Sequence, residues 1–302
     1  MDEKVKEYQL LFAKTHRHPA LEIVKIDFQD SMELHRHAFE ELVIILNGYG
    51  VHFTDKNEYK IEKGDVFVIH PSEAHGYRNV NKLELVNILY DAKHYSSFLD
   101  GLNALPGYHT LFKIEPKMRA KYDKFKNLQL SSNAVKYVRT ITQSIDEELK
   151  YRSAGYKYMA DIAFFQLAGF LARRFSKIDW NKSYNLHNLS MVLAYIEENY
   201  KKEISLNNLA EIANMSISSL SRLFKKTMNK TPVKYLVEFR INKAKELLEK
   251  NKMQITETAF ATGFTDSNYF SRQFKQITGI SPRKWKDRIH GARNTLYIEV
   301  TE

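Results

Sequence analysis

Four residues in the first quarter of the chain have types and spacings suited to binding chemistry: His35, His37, Glu41 and His75. His35 and His37 are two positions apart, so on an extended strand they share a face. Three imidazoles and one carboxylate can ligate a divalent transition metal such as Zn, Fe, Mn or Ni. The same groups can instead hydrogen-bond the hydroxyls of an organic ligand in a pocket. Both readings stand for this set. His16 and His18 lie in the leading segment and read as surface or arm.

A second chemistry is written twice near the other end. SRLFKKTMNKTPVKYL begins at Ser221, and SRQFKQITGISPRKWK begins at Ser271, fifty residues on. Ser, Arg, Phe, Lys and Pro recur at matching places: Ser221 and Ser271, Arg222 and Arg272, Phe224 and Phe274, Lys225 and Lys275, Pro232 and Pro282. An exposed Arg can take guanine O6 and N7 with two parallel hydrogen bonds, and Asn can pair with adenine. Lysines on the same faces suit phosphates, which set affinity and salt dependence rather than sequence choice.

Helices must present these groups. In the first copy, Leu206 to Ala213 predicts a helix, Asn214 to Ser216 a turn capped by Ser216, and Ile217 to Met228 a second helix. Leu220, Leu223, Phe224 and Thr227 fall at i, i+3, i+4 and i+7, one buried stripe. Ser218, Ser221, Arg222, Lys225 and Lys226 are left on the other faces. In the second copy, Ile255 to Thr262 and Asn268 to Thr278 are the two helices, with Gly263 in the turn and Asp266 as cap. Phe270, Phe274 and Ile277 point inward by the same spacing, and Ser267, Asn268, Ser271, Arg272 and Lys275 outward. Small Ala210 and Ala259 fit the helix crossings. Val233 to Lys250 joins the copies as one unbroken helix of about 27 Å, close to the roughly 34 Å between successive major grooves.

Strands must position the histidines. From Leu21 to Tyr90, segments such as LEIVKIDF, ELVIILNG and YKIEKGDVFVI are rich in β-branched and aromatic residues and broken by Asn47-Gly48 and Lys63-Gly64-Asp65. That pattern predicts a small barrel or sandwich. Phe39, Tyr49, Phe53, Tyr77 and Tyr90 are the aromatics available there to stack on a ligand. From Ser132 to Phe175 the period becomes helical. The second of these helices is apolar on more than one side (Ile162, Phe164, Phe165, Leu167, Phe170, Leu171), so it lies under the barrel or forms a subunit interface.

Composition narrows the class. The 302 residues carry 46 Lys and Arg against 36 Asp and Glu, a formal charge of +10 that suits an anionic partner. There is no Cys, which excludes disulfides and thiolate metal sites. No stretch approaches the ~18 uncharged apolar residues of a membrane span. The charged start, MDEKVKEYQLLFAKTHRH, lacks the apolar core of a secretory signal, so the expected place is the cytoplasm.

RINKAKELL, ITETAFATGF and YFSRQFKQITGISP together resemble the signature of the AraC/XylS family of bacterial transcription regulators. The resemblance covers about the last hundred residues. It implies two helix-turn-helix units whose second helices lie in the major groove. Their base-reading positions would be Ser218, Ser221 and Arg222, then Ser267, Asn268, Ser271 and Arg272. Lys225, Lys226, Lys230, Lys275 and Lys284 would contact phosphate. The histidine region resembles both motifs of the cupin family. Gln29 stands where the first motif begins with Gly, and Pro71 and Glu73 depart from the second, which ends at Asn79. In metal-binding cupins the ligands would be His35, His37, Glu41 and His75; in sensor barrels the same residues would hold an effector. LPGYHTLFKIEP (105–116) is similar to a segment of sugar-responsive family members.

The expected fold is α+β and multidomain. It comprises a cupin-like β-barrel sensing domain (1–116), a helical dimerisation connector (117–179), a linker (180–188), an all-α tandem helix-turn-helix domain (189–290) and a tail (291–302). The expected function is a DNA-binding regulator, not an enzyme, activating a carbohydrate-utilisation operon in response to a sugar-like effector. Expected partners are double-stranded DNA, the effector, RNA polymerase and a second copy of the chain. The alternative is a metal-dependent cupin enzyme fused to a DNA-binding domain.

Overall fold

The computed structural model describes residues 6–8, 20–71, 73–119, 128–176, 184–250 and 253–289. His16, His18, positions 180–183 of the expected linker and the tail 291–302 lie outside the described residues. The chain divides into two compact units, Met1–Ser190 and Met191–Glu302.

The first unit is a curled, mostly antiparallel sheet backed by helices. Its strands are β1 (Lys6–Tyr8), β2 (Leu21–Ile26), β3 (Met32–His37), β4 (Glu40–Thr54), β5 (Glu58–Glu62), β6 (Asp65–Ile69), β7 (His75–Tyr90) and β8 (Leu128–Gln129). Pairing runs β1-β3-β7-β4-β6-β8, with β2 also on β7 and β5 also on β4. Two long strands, β4 and β7, form the spine. Glu41 pairs with Leu89 near one end of their ladder and Thr54 with His75 at the other. The register shifts three times between Ile45 and Val51. Each shift changes which parity of side chain points to which face.

Alternation gives the sheet two buried faces. Leu42, Ile44, Val66, Val68, Val86 and Ile88 pack outward against helices. Val43, Ile45, Ile61, Phe67, Tyr77 and Leu85 form a separate cluster on the other face, where the sheet curls onto itself. After β7 come α1 (Ser96–Leu99), α2 (Pro106–His109), a wider helical turn at Thr110–Ile114 and α3 (Glu115–Arg119). Gly107 is needed where α2 meets the next layer, because a Cβ there would lie 2.0 Å from the Ala172 carbonyl oxygen.

That layer is α4 (Ser132–Tyr151) and α5 (Tyr156–Phe175). The Ser131 hydroxyl caps α4 by accepting from the Ala134 N–H. Val135, Val138, Ile141 and Ile145 of α4 and Phe164, Leu167, Leu171 and Phe175 of α5 are buried in the same cluster as the outward face of the sheet. The expected connector is therefore continuous with the sensor core, and α5 takes the first of its two expected places, beneath the sheet. Tyr158, Met159 and Ile162 stay exposed on it.

Helix α6 (Tyr184–Asn199) starts inside the expected linker, so 184–188 is helical and not extended chain. Leu186, Leu189, Val192, Leu193 and Ile196 explain this: they are buried at helical spacing. The second unit continues with α7 (Leu206–Ile212), α8 (Ile217–Met228), α9 (Pro232–Lys250), α10 (Ile255–Ala261), α11 (Ser267–Thr278) and a helical stretch over 282–289.

Candidate functional site

Two arrays of side chains can do chemistry, one in each unit. In the second unit, each helix-turn-helix is built around a buried aromatic. Phe224 and Leu220 of α8 are fully buried, as are Phe274 and Phe270 of α11, the latter pair sharing a core with Val237, Ile241, Ala244 and Leu248 of α9. The turns differ by one residue. Asn214 takes the left-handed conformation in the first, with φ 48°. In the second, Gly263 has φ 86°, and a Cβ would sit 2.5 Å from the Tyr200 carbonyl oxygen. Ser216 accepts from the Ser219 N–H at 3.2 Å, and Asp266 from the Asn268 N–H at 2.7 Å. A reciprocal cap at Gln254 and Glu257 starts α10, a pairing the spacing of these two residues could have revealed.

Burying these stripes sets what is left outside. Ser218, Arg222, Lys225 and Lys226 are exposed on α8, and Asn268, Arg272 and Lys275 on α11, while Ser221, Ser267 and Ser271 are half-buried. Ser271 donates its hydroxyl proton to the Ser267 carbonyl at 2.9 Å, so it offers a base only an acceptor. Arg272 lies 6.0 Å over the ring of Tyr269, an exposed aromatic that sequence reading passed over. Tyr269 can hold the guanidinium plane; the matching place in the first copy is Ser219. Lys230 pairs with Glu238, which blunts it as a phosphate contact. Ile277, expected inward, is 37% exposed. The aromatic pair Phe274–Trp285 closes the core before the helix reaches it. Arg240 is structural: its Nε donates to the Tyr200 carbonyl at 2.7 Å and Nη2 to that of Lys202 at 2.8 Å.

In the first unit, the end of β3, the start of β4 and the start of β7 bring the four candidates together. All four are buried. His37 Nε2 lies 2.7 Å from Glu41 Oε2, and His75 Nε2 lies 3.6 Å from the same oxygen. Ligand atoms of His37, Glu41 and His75 all fall within 4.8 Å of one another. His35 stands beside them, its ring 4.1 Å from that of His75 and its Nδ1 3.1 Å from the Glu33 carbonyl. Donor chemistry and spacing thus fit a metal on three residues, His37, Glu41 and His75, more directly than on four. They equally fit a polar pocket wall. His70 takes no part and sits 2.6 Å from Glu40.

Of the candidate stacking aromatics, Phe39 lies flat against His37 at 4.0 Å. Tyr90 belongs to the opposite face, packed on Phe164, and Tyr49 is exposed. Two buried polar residues behind the cluster were missed. His52 of β4 lies 5.7 Å from His75, and Arg119 of α3 reaches Glu73 and Glu115. The Glu73 carbonyl in turn faces His75 Nδ1 at 3.3 Å.

Burial sets the protonation of this interior. It pushes His75 down to about 3 and, with Arg119 nearby, His52 well below the ordinary value. Burial raises the Glu41 carboxyl, but the His37 hydrogen bond and the neighbouring imidazoles bring it below its usual range. Burial carries Glu115 up to about 6. A histidine depressed in the folded state binds fewer protons there than in the unfolded chain. Its contribution is therefore full above the ordinary value of 6.5 and lost as pH falls. Glu115 acts in the opposite sense, gaining as pH drops through 6 toward 4.5. Three lowered histidines, His35, His52 and His75, outweigh one raised carboxyl, so calorimetry at pH 7, 6 and 5 should show the sensor unit losing on the order of 3 kcal/mol by pH 5. Unchanged stability over that range would mean these imidazoles are solvated.

A curled sheet domain with a buried His/Glu cluster, followed by two capped helix-turn-helix units on a shared long helix, defines a ligand-responsive DNA-binding protein. Residues 18–124 match the family described as an AraC-like ligand-binding domain, and residues 209–288 match a helix-turn-helix domain family. The chain thus joins an AraC-like ligand-binding domain to an AraC-type helix-turn-helix domain, the arrangement of an AraC-family transcription regulator. It is 28% identical over 249 residues to the HTH-type transcriptional activator RhaS of Escherichia coli, covering 82% of this chain and 85% of that one. Among solved structures, an AraC-type regulator from Chromobacterium violaceum is 28% identical over 34% of this chain and 91% of its own, with a TM-score of 0.32. The C-terminal domain of the response regulator yesN from Fusobacterium nucleatum is 33% identical over 32% and 96%, with a TM-score of 0.31. The domains and relatives are those of a regulator, which sets aside the fused-enzyme alternative. Among the described residues no helix is long and apolar enough to cross a membrane.

Proposed function

We propose that this regulator activates a carbohydrate-utilisation operon when a small sugar-like effector binds at His35, His37, Glu41 and His75. The observation that carries the reading is the buried His/Glu cluster inside a domain of the ligand-binding family, on the same chain as two DNA-reading units. Similarity to an activator over most of both chains supports activation, through contact with RNA polymerase. Imidazole and carboxylate groups hydrogen-bond sugar hydroxyls well. A DNA partner supports action in the cytoplasm. For binding to regulate, the effector must favour one state of the protein over another; equal affinity for both would shift nothing.

The test is the paired substitution His37→Ala, Glu41→Ala, read by promoter output and by DNA binding. The variant should lose the response to effector and keep basal DNA affinity. A full response from it would remove the cluster from the effector site. A second form of the same site has a divalent transition metal on His37, Glu41 and His75, favoured by their convergence within 4.8 Å. Metal analysis of the purified chain decides it: near-stoichiometric Zn, Fe, Mn or Ni supports this form, and none counts against it.

Dimerisation is proposed on α5, where Tyr158, Met159 and Ile162 leave apolar surface exposed. Two copies would place two DNA-binding units on paired half-sites and gain avidity. Sedimentation at micromolar concentration should give a dimer, and Ile162→Glu should shift it to monomer. A wild-type monomer would contradict the proposal.

A further inference from the structure

His52 points into the same interior as the His/Glu cluster, yet it takes no part in the cluster. It is 0% exposed, and among the described residues neither ring nitrogen has a hydrogen-bond partner. Its cross-strand neighbour is Tyr77, 2% exposed, whose hydroxyl is also unpartnered. The two rings are 5.4 Å apart, and Phe67 lies 5.0 Å from His52 on another side. A pair that served only to pack against Phe67 would be better made of apolar residues. Buried polar atoms without partners are rare and costly, and two such side chains paired across strands call for a reason.

The surrounding charges say what could satisfy them. Arg119 is a cation whose charge bears on both His52 and Tyr77, and Glu115, Glu73 and the Val68 carbonyl each take one of its N–H groups. Glu41 adds a carboxylate on the cluster side. An anionic ligand would meet that carboxylate, and the guanidinium beside the pair is already matched by two carboxylates. A neutral imidazole offers one donor and one acceptor, and a phenol offers both from one oxygen. Hydroxyl groups, which donate and accept, complement that pair.

We infer that His52, with Tyr77 beside it, is a specificity-determining part of the effector site, taking uncharged hydroxyl groups and rejecting phosphorylated or carboxylated forms of the same ligand. This rests on the proposed reading of the interior as the effector site. The relation to His75 supports it: the two rings are roughly parallel at 5.7 Å, so a ligand held by the cluster would border His52 directly.

The experiment uses the full chain and a panel of free pentoses, hexoses and 6-deoxyhexoses with their phosphates and uronates, read by calorimetry and thermal melting. The proteins are wild type, His52→Phe, Tyr77→Phe and the His37→Ala, Glu41→Ala pair, each checked for DNA binding. Wild type should bind a neutral sugar and none of the anionic forms. His52→Phe should weaken that sugar at least tenfold. It should also raise the melting temperature of the sugar-free protein by roughly 2–4 °C, since two unpartnered nitrogens are removed. Tyr77→Phe should move both quantities in the same directions. If the cluster variant loses the sugar while His52→Phe and Tyr77→Phe keep it, the effector site stands and this inference falls. A lower melting temperature for His52→Phe with unchanged sugar affinity would make its role structural. Binding of an anionic form by wild type would overturn the ligand class. If no sugar binds wild type, the sugar reading fails and this inference with it.

Discussion

Replacing Arg222 and Arg272 together by alanine should weaken specific DNA binding by about 2–6 kcal/mol, roughly 30-fold to 10⁴-fold. Each guanidinium is exposed on its helix, opposite a fully buried Phe, and neither makes a side-chain hydrogen bond among the described residues. A side chain so placed is available to a base edge, and a bidentate contact to guanine is worth about 1–3 kcal/mol of discrimination. The two arginines sit on either side of a 19-residue helix, so their effects should nearly add. Each single variant should relax specificity at one base pair. Lys225→Ala should differ in kind, weakening all sequences alike and flattening the salt dependence. Anisotropy titrations against a selected site and a scrambled one, at two salt concentrations, separate these outcomes. Equal losses on both duplexes for the arginine pair would make these residues phosphate contacts and misplace the reading face.

The second large effect lies in the sensor unit. Arg119→Ala should destabilise it by about 3–5 kcal/mol, lowering its melting transition by roughly 6–20 °C. Arg119 is 1% exposed and Glu115 0%. Nε of Arg119 donates to Glu115 at 2.9 Å, Nη1 to Glu73 at 3.3 Å and Nη2 to the Val68 carbonyl. The guanidinium also lies over the rings of Phe67 and Tyr59, at 5.1 and 5.8 Å. Removing it strands a carboxyl that burial already raises to about 6. The cost comes from that orphan more than from the lost attraction. The double change Arg119→Met, Glu115→Leu should therefore recover most of the loss. Arg119→Lys should not, because an ammonium cannot reach three acceptors in a planar fork. Differential scanning calorimetry of the full chain reads all three. A shift under about 1 kcal/mol for Arg119→Ala would mean the network is hydrated and carries little of the fold.

What could be read in the sequence follows from periodicity. Over α8 and α11 the apolar stripe, the cap and the small residue at the crossing all mark the same helix, so these elements and their exposed faces were legible. His35 and His37 were legible for a similar reason, because two residues on one short strand need no register. His52 was not. Counting alternation from Glu41, which shares a face with Val43 and Ile45, puts position 52 on the opposite face. The register shift between Ile45 and Asn47, where β4 advances two residues against one of β7, turns it inward, and nothing local announces it beyond Asn47-Gly48. Arg119 was hidden differently. Among Lys117, Lys121 and Lys124 it reads as one more solvated charge, and only the tertiary approach of Glu73 and Val68 shows otherwise. The polar run before Leu186 obscured the start of α6, because the first apolar residue of its stripe in the sequence is Leu186, which is buried.

Two helix-turn-helix units on this chain are arranged to read specific DNA. Genome-wide footprinting of the full-length wild-type protein tests this most directly, with the arginine pair as the matched control. Wild type should protect discrete sites in which major-groove segments recur about one helical turn apart, and the Arg222→Ala, Arg272→Ala variant should lose them. Diffuse, sequence-independent occupancy by wild type, or an unchanged set of sites in the variant, would contradict this.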